Sequence, residues 1–240
     1  MSLLPVTWMK DVALMSKKSV RELSEAEIDA RIAKYESRPT SHQRAGGAEP
    51  GFAWLVTICG AIGVWAAISL LVAEKQKLLH PDSVLPCDIN PLVGCGKWVG
   101  TWQNEVFFGV SNSVYGLAFF AGIVALGLAL VSGARFARWL WCVLAAALSA
   151  GMLWIAWFMY ESFAVEGSLC PYCLVTWFVT ITLFAHTISR VAQSGHFGDK
   201  TADAGRALAR NRWLGAGVGY AVIILLIVVT FWEQLPLFFV

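Results

Sequence analysis

The chain has 240 residues, of which 58% are hydrophobic, and its mean hydropathy is +0.63. This hydrophobic fraction is well above that of ordinary soluble domains, so the composition excludes a typical soluble globular protein. The formal net charge is only +2, and the basic residues flank the apolar segments instead of clustering, which argues against nucleic-acid binding.

The first 52 residues are polar. Residues 16–38 carry mixed charges with a few spaced aliphatic side chains and predict either a short amphipathic helix or disorder. Residues 39–51 are rich in glycine and proline, a composition typical of a linker. We therefore expect residues 1–52 to form an N-terminal tail and linker.

Five long apolar blocks follow. A helix that crosses the hydrocarbon core of a bilayer needs about 20 apolar residues, because its backbone finds no water there. The blocks cover approximately residues 53–73, 112–131, 139–160, 170–189 and 213–232. The sequence thus predicts an all-α membrane protein with five spans, whose surroundings are membrane lipid.

The basic residues predict the orientation. Residues 1–52 contain eight Lys or Arg and residues 190–212 contain five, and the short 132–138 connection contains two more. The 161–169 connection has none, and the 74–111 loop has three lysines. Since positively charged connections stay cytoplasmic, we expect a cytoplasmic N-terminus, with the C-terminus and these last two loops on the exoplasmic side.

The six cysteines form two groups. Two lie inside apolar spans, where cysteine usually behaves as a small hydrophobic residue. The other four form two pairs on the predicted exoplasmic side. The span cysteines are Cys59 and Cys142, and the pairs are Cys87 with Cys95 and Cys170 with Cys173.

The Cys170-Pro-Tyr-Cys173 motif opens the fourth apolar span, with Pro171 in the first turn, where a missing N–H costs little. The free N–H groups and the dipole of a helix start lower the pKa of a thiol there and raise the thiolate fraction. Only the thiolate attacks a disulfide. The motif therefore favours redox chemistry, with a static disulfide or half of a metal site as alternatives.

The wider pair lies in a loop, with seven residues between Cys87 and Cys95. By itself, an exoplasmic pair of this kind is usually a structural disulfide. However, two thiol pairs on one membrane face can exchange disulfides through a mixed intermediate. Together the two pairs predict a disulfide relay.

A zinc site is the competing interpretation, because four thiolates can bind zinc. Cys87 and Cys95 are spaced too widely for the usual zinc knuckle. His80 lies at the edge of the loop, and His186 is roughly 20 Å along the fourth helix from Cys173. We expect no metal.

A relay in a membrane needs a two-electron acceptor, for which a quinone is suitable. Asn112 opens the second span at the same depth, and its amide can donate to a quinone carbonyl, although Ser111 or Asn112 could equally cap the helix. The 97–109 segment could form a short helix over the pocket, with Trp98, Trp102 and Val106 turned inward.

These features together resemble the vitamin K epoxide reductase family and its bacterial homologues. They occur in the order Cys87-x7-Cys95, Ser111-Asn112-Ser113 and Cys170-x-x-Cys173. The resemblance covers about residues 53–190. It implies a four-helix bundle around menaquinone or ubiquinone, so that residues 191–240 add a cytoplasmic loop and a fifth transmembrane helix.

The resemblance also implies roles for single residues. Cys170 and Cys173 match the active-site pair, with Cys173 next to the quinone. Cys170 would exchange with Cys95, and Cys87 would meet the cysteine of a partner protein. Two further positions match the family: Asn112 corresponds to its quinone-binding asparagine, and Thr101 falls at its Ser/Thr position after the loop cysteines.

We therefore expect a quinone-dependent oxidase of protein thiols in a bacterial cytoplasmic membrane. The chain ends at Val240 without a thioredoxin-like domain, so the expected partner is a separate exported thioredoxin-fold oxidoreductase. Trp177 stands where the vertebrate enzymes have a tyrosine, which argues against the alternative of vitamin K quinone or epoxide reduction. DsbB-like oxidases carry the two cysteine pairs in the reverse order. A non-enzymatic protein with structural disulfides is the remaining alternative.

Overall fold

The computed structural model describes residues 23–29, 39–198 and 201–233. The chain divides into two compact units, residues 1–38 and 39–240. In the first unit, residues 25–29 form a helical turn at which the Ser24 hydroxyl accepts the Glu27 N–H. The rest of the amphipathic-helix prediction for residues 16–38 lies outside the described residues.

The second unit is helical, and its described residues contain no β-strand beyond isolated bridges. Its helices are α1 (Ser41–Arg44), α2 (Pro50–Leu79), α3 (Asn112–Val131), α4 (Arg138–Tyr160), α5 (Pro171–Gln193), α6 (Ala202–Arg210) and α7 (Arg212–Thr230). Within the described chain, α2, α3, α4, α5 and α7 are long and apolar enough to cross a membrane. The prediction of an all-α, multi-pass membrane protein is confirmed.

Local sequence signals account for several helix ends. Pro50 and Pro171 occupy the first positions of α2 and α5, where the missing N–H leaves no hydrogen bond unmade. The Ser111 hydroxyl caps α3 by accepting the Ser113 N–H at 3.1 Å. The α4 helix continues into one π-helical turn, Glu161–Val165.

Small residues bring α2 and α3 close together. A side chain at Gly63 would collide with the Phe120 ring, and a Cβ atom at Gly127 would meet the Thr57 hydroxyl oxygen at 2.5 Å. Membrane helices associate through such close backbone approaches, because lipid provides no hydrophobic force between them. The α2–α3 pair therefore forms one wall of the bundle.

The α5 helix is the most enclosed span, with 50% of its most apolar stretch buried, compared with 11% for α7. The α7 helix packs on α5, where the Tyr220 hydroxyl hydrogen-bonds to Thr182 and a Cβ atom at Gly219 would meet Ile181 at 2.8 Å. The fifth span is thus a peripheral addition to a bundle of α2 to α5.

Residues 39–49 differ from the predicted linker. Gln43 is buried, the Trp141 indole N–H donates to the Gly46 carbonyl at 3.1 Å, and Arg190 donates to the carbonyls of Gln43 and Gly47. The Arg190 guanidinium also lies 3.9 Å above the Trp141 ring, a cation–π contact. Distant residues of α4 and α5 supply these contacts, so local composition could not reveal them.

Candidate active site

The site lies where the α2–α3 loop meets the connection between α4 and α5; we call this the cysteine end of the bundle. Cys87 and Cys95 form a disulfide within the loop, with their Cα atoms 5.7 Å apart. Asp88 holds the loop closed: its Oδ1 atom accepts the N–H groups of Cys95 at 2.8 Å and Gly96 at 2.9 Å. A side chain at Gly94 would approach the same oxygen to 2.6 Å, which explains the glycine.

Backbone hydrogen bonds join the loop to the start of α5. The Gly94 N–H donates to the Leu169 carbonyl at 2.9 Å, and the Leu169 N–H donates to the Leu92 carbonyl at 2.8 Å. This pairing positions Cys170 against Cys95, with their sulfur atoms 3.7 Å apart. Both cysteines are buried, so the two pairs meet in a place that excludes water.

Cys170 is the N-cap residue of α5 and has a free thiol, as does Cys173. Its sulfur accepts the Cys173 N–H at 3.4 Å. A hydrogen bond from the Cys173 thiol, helped by the backbone N–H groups of Cys173 and Tyr172, lowers the pKa of Cys170 despite its burial. The thiolate is therefore favoured at the sulfur atom that faces Cys95.

A cavity of about 380 Å³ opens beside Cys173, between α2, α3, α4 and α5. Its volume and mostly apolar, aromatic lining are typical of a small-molecule site. The aromatic lining residues are Trp98, Phe107, Tyr115, Phe119, Phe120, Trp154, Phe158 and Trp177. The polar or thiol side chains on the wall are Asn104, Asn112, Ser113, Cys173, Thr176 and Thr180.

Asn112 lies on this wall together with Cys173. Its amide nitrogen donates one hydrogen to the Gln103 carbonyl at 2.7 Å, which orients the amide; the second amide hydrogen and the amide oxygen are not used in this bond. The α3 cap is provided by Ser111, so capping does not account for Asn112. Quinone binding by Asn112 stays a prediction.

The family comparison agrees with this geometry. The model of the vitamin K epoxide reductase family matches residues 54–188, more than half of the chain. The chain belongs to the vitamin K epoxide reductase family. A search of the curated proteins finds no match. Family membership and the five apolar helices make the chain a membrane oxidoreductase.

The family match covers α2 to α5 nearly in full and ends before α6 and α7. All four cysteines of the two pairs, together with Asn112, fall within the matched residues. Cys59 and Cys142 also fall within the matched residues, but they are half-buried within α2 and α4 and take no part in the cysteine end.

In this family member, the segment above the cavity differs from the predicted inward-facing helix. Two short 3-10 helices, Gly96–Trp98 and Trp102–Asn104, replace it, separated by Gly100 with a φ of +73°. Trp98 is buried against Phe158, but Trp102 is 65% exposed and Val106 is 39% exposed. The prediction was wrong for these two residues, because the turn at Gly100 resets the helical periodicity.

Thr101 lies in that turn and outside the cavity lining. Its hydroxyl donates to the Trp98 carbonyl at 3.0 Å, which stabilises the turn between the two 3-10 helices. A direct role for Thr101 in binding a quinone stays a prediction.

Sequence reasoning missed the buried polar groups around the site. Gln103 donates to Glu161 and Glu166 at 3.4 Å each, and the neighbouring Asn104 donates to Glu74 at 2.8 Å. The second 3-10 helix is thus tied to carboxylates from both α2 and the end of α4. The available signal was the acidic residue Glu74 at the end of an apolar span, since ionisable residues within membrane segments are usually functional.

Proposed function

We propose that this chain is a quinone-dependent thiol–disulfide oxidoreductase that reoxidises an exported thioredoxin-fold protein and thereby supports disulfide-bond formation. The observation that carries the proposal is the line formed by the loop disulfide, the Cys170 thiol 3.7 Å from Cys95, and Cys173 on the cavity wall. The sulfur atoms of these four cysteines therefore form a continuous route from the α2–α3 loop to the apolar cavity.

The relay balances in thiols and disulfides. A partner dithiol reduces the Cys87–Cys95 disulfide and leaves as a disulfide. The Cys95 thiolate then attacks Cys170 of a Cys170–Cys173 disulfide and releases the Cys173 thiolate. Cys87 resolves the Cys95–Cys170 intermediate, which restores the loop disulfide and leaves the second pair reduced. The described arrangement, with an oxidised loop and free Cys170 and Cys173, is the product of this exchange.

The cavity has the properties that a quinone ring requires. It is apolar and aromatic, and Asn112 offers an amide hydrogen at its wall. The buried Trp98 indole N–H also lines this space without a hydrogen-bond partner among the described residues. A bound menaquinone or ubiquinone supplies a two-electron acceptor for the reduced Cys170–Cys173 pair. The role of Cys173 is to present its thiol to that acceptor.

Partner access supports Cys87 as the entry point. Cys95 has no exposed surface and faces Cys170, whereas Cys87 is 4% exposed beside the exposed side chains of Val84 and Ile89. A partner thiol therefore reaches Cys87 after a small displacement of the loop. A thioredoxin-fold oxidoreductase that is separate from this chain is the partner we propose.

The charge distribution supports the placement of the cysteine end on the exoplasmic side of a bacterial cytoplasmic membrane. The end of the bundle opposite the cysteine end carries Arg138, at the start of α4, and Arg190, near the end of α5. The basic segment 201–212 follows α5 in the chain. Positively charged connections stay cytoplasmic.

The test uses detergent-purified full-length protein, a reduced thioredoxin-fold oxidase and a short-chain ubiquinone, with quinone absorbance as the readout. Cys173→Ala should abolish quinone reduction, and Cys142→Ala should retain it, because Cys142 lies outside the relay. Undiminished turnover by Cys173→Ala would overturn the proposal.

A further inference from the structure

Glu74 is a buried carboxylate near the cysteine end of α2, with 7% of its surface exposed. Its Oε1 atom accepts three hydrogen bonds: from the Asn104 amide at 2.8 Å, the Ser111 hydroxyl at 2.7 Å and the Ser113 hydroxyl at 2.8 Å. All three donors are uncharged, and they come from the 3-10 helix above the cavity and from the start of α3.

A carboxylate stabilised in this way is costly to keep within a membrane segment. Three hydrogen bonds to one oxygen fit the ionised form, which only accepts. Burial of a charge without an adjacent cation is unfavourable, and an apolar residue would fill the same place at lower cost. Ionisable residues at membrane depth are for this reason usually functional.

Two of the three donors connect Glu74 to the cavity. Asn104 and Ser113 both line the cavity, as does Cys173. A hydroxyl can donate to one group while it accepts from another. Ser113 can therefore pass a proton between the cavity and Glu74, while Ser111 contacts the same oxygen atom but is not part of the cavity lining.

We propose that Glu74 is the proton-exchanging group of this cavity: it accepts, through Ser113, a proton released when Cys170 and Cys173 are oxidised, and returns it to the quinone that takes the electrons. The inference rests on the proposed function. Two thiols and one quinone become one disulfide and one quinol, so two electrons and two protons are transferred. Glu74 carries one of these protons and ends as the carboxylate that it was before, and the other proton passes directly to the quinone from the Cys173 thiol, which lines the cavity.

The experiment follows a single turnover of dithiol-reduced, full-length protein mixed with a short-chain ubiquinone. The wild type should show a transient infrared band of a protonated carboxyl group, which decays as the quinol forms. Glu74→Gln keeps an oxygen acceptor for its three neighbours but cannot take up a proton. It should lack the band and form quinol about 10²-fold more slowly, the scale of general acid–base catalysis.

The two serines provide matched variants. Ser113→Ala removes the cavity-lining hydroxyl that donates to Glu74, and should slow both the rise of the carboxyl band and the formation of quinol. Ser111→Thr keeps the hydroxyl that caps α3 and contacts the same Glu74 oxygen, and should leave the band in place. If Glu74→Gln does not fold, Glu74→Asp, which retains a carboxyl group, and Ser113→Ala complete the test.

Quinone binding, followed by quenching of tryptophan fluorescence in the absence of turnover, separates proton transfer from a structural role. The inference expects Glu74→Gln to bind quinone as the wild type does. Weakened binding, or wild-type rates in Glu74→Gln, would overturn the role of Glu74 and leave the proposed function intact. A wild type that binds no quinone or leaves its Cys170–Cys173 thiols reduced would overturn both.

Discussion

The sulfur atoms of Cys95 and Cys170 lie 3.7 Å apart, although 75 positions separate the two residues in the chain. Backbone pairing of Gly94 and Leu92 with Leu169 holds this contact in place. Because the contact is buried, soluble thiols have no direct access to it. In the relay that we propose, this contact joins the two cysteine motifs into one pathway for electrons.

Removal of Cys95 should trap the partner. In Cys95→Ala, Cys87 is a free thiol whose thiolate attacks the disulfide of an oxidised partner, which forms a mixed disulfide and releases the partner's second thiol. Cys95 is no longer present to resolve this adduct by attack on Cys87, so the adduct should accumulate in membranes. Non-reducing electrophoresis and mass spectrometry of the adduct would identify the partner. Cys142→Ala should give no adduct, and absence of an adduct in Cys95→Ala would contradict entry at Cys87.

The loop should open when Asp88 is replaced. Asp88→Ala loses the acceptor for the N–H groups of the buried Cys95 and the half-buried Gly96, and leaving the buried Cys95 N–H unpaired costs about 1–3 kcal/mol. We expect faster reduction of the Cys87–Cys95 disulfide by dithiothreitol and slower quinone reduction with the partner. Asp82→Ala, an exposed residue of the same loop, is the control and should match the wild type in both assays.

Quinone affinity should depend on Asn112. Asn112→Ala removes the amide at the cavity wall and should raise the dissociation constant for a short-chain ubiquinone by about 10-fold, the scale of one hydrogen bond of about 1.4 kcal/mol. Quenching of the fluorescence of the cavity tryptophans by the bound quinone measures this dissociation constant. Asn211→Ala, at the start of α7, tests for a general effect of an amide deletion. Unchanged affinity in Asn112→Ala would exclude Asn112 from the binding site.

The reactivity of Cys170 should extend to low pH. Because its pKa is lowered, its thiolate persists below the pH at which an ordinary thiol becomes protonated, so its alkylation rate should reach half-maximum at a lower pH than that of an ordinary thiol. The largest cause is the hydrogen bond from the Cys173 thiol, and Cys173→Ala should therefore move the midpoint upward. Iodoacetamide labelling in a Cys95→Ala background, followed by mass spectrometry, gives both profiles. A midpoint that does not respond to Cys173→Ala would contradict this cause.

Local features of the sequence determined the architecture. Apolar length alone located the five spans, since a bilayer requires about 20 apolar residues per helix whatever its neighbours are. The Cys170-Pro-Tyr-Cys173 motif also predicted a helix start from local sequence, because a proline at the first helical position and a capping residue act within one turn of the helix. The start of α3 at Ser111 and Asn112 was visible in the same way.

Tertiary structure decided the contacts between distant segments. The sequence could not show that Gly100 interrupts the helix above the cavity, or that Glu74 gathers hydrogen bonds from residues 30 to 39 positions away. Nor could it show that Arg190 and Trp141 order the glycine-rich residues 43–47. A side chain's hydrogen-bond partners depend on which helices pack together. That packing is set by the fit of whole helix faces, whereas helix formation and membrane insertion depend on residues that are neighbours in the chain.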